Sequence, residues 1–274
     1  MTSLLSLFDA DTSAPASRRN ALGTVGRLGL GAAVAAVPFL DPRKAFAQGM
    51  GPNQVDIDGD GDFDAFDILN YALTLEYLER SFYRQALDAN FLAAERDLIV
   101  TIEADESAHV RVLRGAIESA GGDPVDYQDS DFDFGSFLSS RDPFLALAQS
   151  LEDTGVRAYK GQATAIQGSP YLTTALQIHS VEARHAAAIR RLRGNQGWIP
   201  GSQPGAPVPA VYGAGNGFPA ESNTTQGGLD LTSALSGYTA EEITEAFDEG
   251  LDMTTVLDIA GGFITGQEGD GADA

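Results

Sequence analysis

Two of the three histidines in this 274-residue chain follow a glutamate by three positions, in Glu106-Ser-Ala-His109 and Glu182-Ala-Arg-His185. On a helix, positions i and i+3 share a face, so each pair can turn one carboxylate and one imidazole toward a single cation. Ordinary composition would give two such pairs among three histidines in about one chain in a hundred. The two pairs lie 76 residues apart, and stepping back 30 residues from each glutamate reaches Glu76 and Glu152, again 76 apart. Leu75 and Leu151, Tyr83 and Tyr159, and Arg114 and Arg190 keep the same offset. That recurrence is the mark of an internal duplication, two units related by a pseudo-twofold axis. Glu79 rivals Glu76, but its counterpart is Gly155, which relegates it to an outer shell or to solvent. His179 has no glutamate three residues before it and reads as a structural or surface residue.

Four carboxylates and two imidazoles suit a dinuclear centre. Four buried carboxylates alone are costly. Two divalent cations offset their charge, and neutral imidazoles complete the shells. Carboxylate and imidazole donors favour iron or manganese, and imidazole also suits zinc. Two glutamates from separate helices, plus Glu-x-x-His from each of two others, form the ligand set of dinuclear carboxylate bundles. The bland alternative for one Glu-x-x-His is a surface pair; the fourfold pattern argues against it.

Such a site needs four helices, and four helical periodicities follow one another at about 67–90, 93–120, 143–166 and 171–193. Asp67 and Asp142 are the expected N-caps of the first and third, because a carboxylate there accepts from the free amides of the first turn. Gly121-Gly122 and Gly194 are the expected stops of the second and fourth. A few residues join the first helix to the second and the third to the fourth, so each pair is an antiparallel hairpin. The intervening twenty or so residues, 121–141, reach roughly 65 Å when extended, enough to run back along the bundle. The expected fold is therefore all-α, a four-helix bundle of two antiparallel hairpins and one long crossover, with a short helical C-terminal extension.

The remaining segments frame this bundle. Ser17-Arg18-Arg19-Asn20-Ala21-Leu22 resembles a twin-arginine motif, an apolar stretch follows at 28–40, and Ala45-Phe46-Ala47 is a cleavage site. Residues 1–47 are thus read as an export signal, which places the mature protein in the periplasm or cell envelope with no stable membrane insertion after cleavage. The bundle covers 67–194, a Gly/Pro-rich linker 195–228, a helical extension 229–266 and a disordered tail 267–274. Within the extension, Thr239-Ala-Glu-Glu242 reads as a capping box. The formal net charge of -22 argues against nucleic acid or anionic lipid as partners. The absence of cysteine excludes disulfides and thiolate metal sites.

Residues 48–66 form an acidic segment ahead of the first helix. Asp56, Asp58, Asp60, Asp62, Asp64 and Asp67 occupy positions 1, 3, 5, 7, 9 and 12 of an EF-hand-type loop, with Gly61 at position 6. Aspartate at position 12 resembles dockerin loops, and one calcium ion is the expected ligand. The competing reading is an acidic linker whose last residues start the helix.

The stretches DILNYALTLEYLERSFYRQAL, DESAHVRVLRGAI, LEDTGVRAYKGQA and VEARHAAAIRRL resemble the exported bacterial ferritin-like domain family over about 64–193. The C-terminal FDEGLDMTTVLDIAGGFI is similar to the tail of such proteins. The resemblance implies terminal ligands at Glu76 and Glu152, bridging ligands at Glu106 and Glu182, and nitrogen ligands at His109 and His185. It also implies a tyrosine close to the metals, Tyr83, with a redox or gating role; the plainer reading of Tyr83 and Tyr159 is ordinary core packing. The expected function is a two-metal protein, holding iron or manganese, that oxidises ferrous iron or consumes peroxide, with dioxygen or peroxide as its small partner. The alternative is a non-catalytic cell-envelope or stress-related structural protein that keeps the bundle. Storage in a cage is disfavoured by the long extension, although a homo-oligomer is compatible with the sequence.

Overall fold

The computed structural model describes residues 54–203 and 205–265. The expected export signal and the expected disordered tail lie outside the described residues. Among these residues no helix is long and apolar enough to cross a membrane.

Four long helices dominate: α1, Ala65–Asp88; α2, Arg96–Ala120; α3, Arg141–Gln162; and α4, Leu172–Leu192. α1 packs along α2 and α3 along α4, and α1 also meets α3. Two hairpins joined by one long crossover make the expected four-helix bundle. α2 and α4 are amphipathic; on α2 the buried positions Ile99, Ile102, Glu106, His109, Leu113 and Ile117 recur every three or four residues. α1 and α3 are buried on nearly all sides, including their polar residues.

The helix ends differ from expectation in instructive ways. Asp64, not Asp67, caps α1: its carboxylate accepts from Phe66 N, while Asp67 reaches back to Asp64 N at 2.7 Å, a capping box. The helix starts early because Ala65 and Phe66 are drawn into the core. α3 follows Ser140, so Asp142 lies inside the first turn, where its charge suits the helix dipole without capping. α2 ends as expected at Gly121, whose φ of 86° is a left-handed conformation that glycine adopts at no steric cost.

The crossover is pinned to α1 by Asn70, whose side chain donates to Asp123 O at 3.1 Å and accepts from Val125 N at 2.9 Å. It also buries Phe132 and Phe134, the latter 4.9 Å from the ring of Phe82.

The segment read as a linker is not one. It holds a 3-10 turn, Pro209–Tyr212, and a strand, β1, Thr225–Gln226, which pairs with β2, Leu229–Asp230, at the start of the extension. Three short helices follow: α5, Leu231–Ala234; α6, Ala240–Thr244, with the expected Thr239–Glu242 capping box; and α7, Met253–Gly261. This segment closes on α3. The fully buried Arg157 guanidinium donates to the carbonyls of Val211, Gly213, Pro219, Glu249 and Gly250 and pairs with Glu221 at 2.9 Å. α7 packs on α1 and α3, and beyond it Asp133 N donates to Phe263 O and Thr265 N to Asp131 O, both at 2.8 Å.

Candidate metal centre

Each long helix sends carboxylates or imidazoles to one level of the bundle: Glu76 from α1, Glu106 and His109 from α2, Glu152 from α3, and Glu182 and His185 from α4. The four glutamates have no exposed surface, and the histidines are 8% and 6% exposed, so none is the surface pair of the bland reading. The six residues form two groups, Glu76–Glu106–His109–Glu182 and Glu106–Glu152–Glu182–His185. Within each group, one ligand atom per residue lies within 4.8 Å of the others. Glu106 and Glu182 belong to both, the placement a bridging carboxylate requires.

The contacts within the cluster are those of donors awaiting a cation. His109 Nδ1 lies 3.0 Å from Glu76 Oε2, 3.0 Å from Glu106 Oε2 and 3.2 Å from Glu182 Oε1. One ring nitrogen carries at most one hydrogen, so hydrogen bonding cannot satisfy all three oxygens. His185 Nδ1 lies 2.8 Å from Glu106 Oε1 and 3.4 Å from Glu152 Oε2, yet none of these three atoms has a properly directed hydrogen bond. Both oxygens of Glu182 are buried and unpartnered too. Buried polar atoms are rarely left so. Five of the unpartnered buried atoms belong to expected ligands, and together with the two groups this is consistent with a two-metal site.

Residues 64–195 match the family described as Ferritin-like domain. This stretch is similar to that family and has the fold of a ferritin-like four-helix bundle. No curated protein matches the chain.

Two tyrosines complete the cluster of the ferritin-like bundle. The Tyr83 hydroxyl donates to Glu152 Oε1, and the Tyr159 hydroxyl donates to Glu76 Oε1. Each tyrosine therefore serves the glutamate of the opposite hairpin, as the 76-residue offset demands. Burial, reinforced by the adjoining carboxylate, holds both phenols well above the usual tyrosine range, so they act as donors. Tyr83 was the tyrosine expected here; Tyr159 occupies the equivalent place. Asp105 adds an outer contact, its Oδ2 lying 3.2 Å from His185 Nε2. Only its position beside Glu106 could have pointed to it, because its partner is 80 residues away.

Of the two places expected for Glu79, an outer shell or solvent, the structure gives it the outer shell: it belongs to neither ligand group. It is 3% exposed, so it does not face solvent. Burial first, then the charges of Glu182, Glu152, Glu106 and Glu76, push its carboxyl well above the ordinary range. Burial and neighbouring carboxylates raise Glu182 in the same way, and burial pushes Glu106 up to about 7 against the pull of both histidines. For Glu76, burial opposes ionisation, but His109 and three hydrogen bonds outweigh it and hold the carboxyl below its usual value. Burial disfavours the imidazolium of His109 and His185, but the surrounding carboxylates raise both far above the usual histidine range. Five buried carboxylates outnumber two imidazolium rings, so the cluster keeps protons unless cations replace them.

His179 is half-buried and belongs to neither group. In the acidic loop, Asp56, Asp58 and Asp67 come together. Asp60, Asp62 and Asp64 do not join them: Asp60 Oδ1 accepts from Asp62 N at 3.0 Å, and Asp64 caps α1. Asp56 accepts from Gly59 N at 2.7 Å and Gly61 N at 2.9 Å, so loop amides occupy part of its acceptor capacity.

Proposed function

We propose that this chain is an exported protein with a dinuclear iron or manganese centre of redox type, oxidising ferrous iron or consuming peroxide. The observation that supports it best is the sharing of Glu106 and Glu182 between the two ligand groups. Iron or manganese bound there would supply a couple able to pass electrons to dioxygen or peroxide. The protein's own contribution is positional. Glu106 and Glu182 would be shared between the two ions, with Glu76 and His109 completing one set of donors and Glu152 and His185 the other. Tyr159 and Tyr83 fix one oxygen of each terminal carboxylate and leave the other free to turn toward metal. The apolar walls keep bulk water out, which strengthens every charge interaction inside.

The deciding experiment compares oxidation rates. Reduced, iron-loaded protein should react with dioxygen or peroxide faster than free ferrous ion at the same pH, and Glu76→Ala should remove that advantage while the helices persist. Oxidation no faster than in buffer, together with a large fall in melting temperature on metal removal, would favour the structural alternative.

Two subsidiary proposals go with this reading. Residues 1–47 direct export by the twin-arginine route; replacing Arg18 and Arg19 with Lys should leave the protein in the cytoplasm. The acidic loop takes calcium through Asp56, Asp58 and Asp67. Isothermal titration should give a heat that Asp56→Ala abolishes, and equal heats from both proteins would assign calcium to the general acidic surface.

A further inference from the structure

Arg193 is the last base of the chain: beyond it lie twelve aspartates and glutamates and no lysine, arginine or histidine. In the bundle, exposed acids have arginine partners, as Asp126 has in Arg114 at 2.8 Å and Asp142 in Arg141 at 3.0 Å. The C-terminal extension has no such partners of its own. It also leaves large apolar side chains in solvent. Of six among the described residues, four lie between 229 and 247: Leu229, 55% exposed, Leu235, 43%, Tyr238, 63%, and Phe247, 38%. Single exposed apolar residues are ordinary, but a cluster of them rimmed by polar groups marks an interaction site. Want of a core is not the reason, because the same extension buries Leu251, Met253 and Val256. Nor is the segment frayed. β2 pairs with β1, Leu231 N donates to Thr224 O at 3.0 Å, Asp230 caps α5, and Thr239 and Glu242 cap α6. Ile243 and Thr244 are buried and anchor its far end. Yet residues 227–242 are exposed throughout, apart from the half-buried Leu231. Helices as short as α5 and α6 are marginal without a packed face, and here the apolar side chains beside them face outward.

We infer that residues 229–247 are a docking surface for a basic, amphipathic segment of another protein, one that carries lysine or arginine beside aliphatic or aromatic side chains. Leu229, Leu235, Tyr238 and Phe247 supply the apolar contact. Asp230, Glu241, Glu242 and Glu245 supply the charge that the partner's bases complement. The sign selects the partner. Nucleic acid and anionic lipid are repelled. A second copy docking this face on itself would set carboxylates against carboxylates, because a twofold contact presents the same surface from both sides. The strand pairing and caps fix the backbone beforehand, which lowers the ordering cost of binding. The inference does not depend on the metal centre.

The test uses the full chain and a fluorescent synthetic helix with one leucine face and one lysine face. Oligolysine of equal charge is the charge-only probe, and anisotropy at physiological salt is the readout. The leucine–lysine helix should bind the native chain. Leu235→Ser with Tyr238→Ser should weaken that binding about tenfold or more, the loss expected when anchoring side chains are cut back. Glu241→Gln with Glu245→Gln should weaken it too. Oligolysine should bind less tightly and be indifferent to the serine pair. No binding to the native chain, or equal binding to the native chain and the serine pair, would overturn the inference. An equal loss from Leu176→Ser with Trp198→Ser would also overturn it, since those exposed side chains lie outside the segment. Dimerisation of the native chain that the serine pair abolishes would overturn it in favour of a second copy. Hydrogen exchange on the native chain keeps the test independent of how the variants fold: the bound helix should protect amides within 229–247, and protection confined to other segments would overturn the inference.

Discussion

The hydroxyl of Tyr159 on α3 donates to Glu76 on α1, and the offset of 76 residues carries this contact onto that of Tyr83 with Glu152. The hairpins are therefore cross-braced, each holding the other's terminal carboxylate. Removing either hydroxyl leaves a buried carboxylate oxygen without its donor, at about 1–3 kcal/mol. Tyr83→Phe and Tyr159→Phe should each lower stability in denaturant titration by that amount, and by similar amounts. A loss confined to one of them would show that the symmetry is not energetic. If Tyr83 has its expected redox role, Tyr83→Phe should also slow iron oxidation more than Tyr159→Phe does.

Shared and unshared ligands should differ in metal content. Glu106 and Glu182 belong to both groups, so Glu106→Ala or Glu182→Ala should reduce elemental analysis from about two ions per chain to nearly none. Glu152→Ala removes a ligand from one group only and should leave about one. Equal losses from all three would contradict the bridging assignment.

A pH dependence separate from the metal centre follows from Glu221. Burial raises its carboxyl from 4.5 to about 7, although Arg157 pulls the other way. Between those values the folded chain binds more protons than the unfolded chain, so stability falls as pH rises through the window. The contribution reaches about 3 kcal/mol across the whole window. Glu221→Gln does not titrate; the difference between its stability and that of the native chain should therefore change with that slope from pH 4.5 to 7 and flatten above it.

Two glycine substitutions should act in opposite directions. Gly115 lies within α2 with nothing within 4 Å of an added Cβ, so Gly115→Ala should gain about 0.5–1 kcal/mol from helix propensity. Gly161 lies within α3, but its Cβ would overlap the carbonyl oxygen of Leu251. Gly161→Ala must push the C-terminal segment off the bundle and should lower the melting temperature despite the same propensity gain.

The helices and the six-residue cluster could be read from the sequence because helical period and duplication register are both local arithmetic. Once Glu76 and Glu152 share an offset with two Glu-x-x-His pairs, packing two equivalent hairpins brings all six together. The same arithmetic left Glu79 between an outer shell and solvent, since register says nothing of an unmatched residue; burial decides between the two. It was silent on Arg157, whose partners lie 54 to 93 residues downstream in Gly- and Pro-rich sequence that carries no periodicity. Arg190 shows the middle case. Its counterpart Arg114 donates to Tyr77 at 2.6 Å, and the residue equivalent to Tyr77 is Asp153, to which Arg190 donates. The register gives the contact, but the change from a phenol to a carboxylate, itself held by Tyr212 at 2.6 Å, appears only once the C-terminal segment is in place.

The carbonyl nest around Arg157 also orders events in time. A nascent chain that has reached residue 195 contains all four long helices, yet the guanidinium of α3 still lacks the acceptors it meets at 211–250. Until they emerge, that charge keeps its face of α3 solvated, because burying it unpaired costs several kcal/mol. Closure of the domain is thus tied to late synthesis. Amide exchange on ribosome-stalled chains should find α3 unprotected when residue 195 has just cleared the exit tunnel and protected once residue 265 has cleared it.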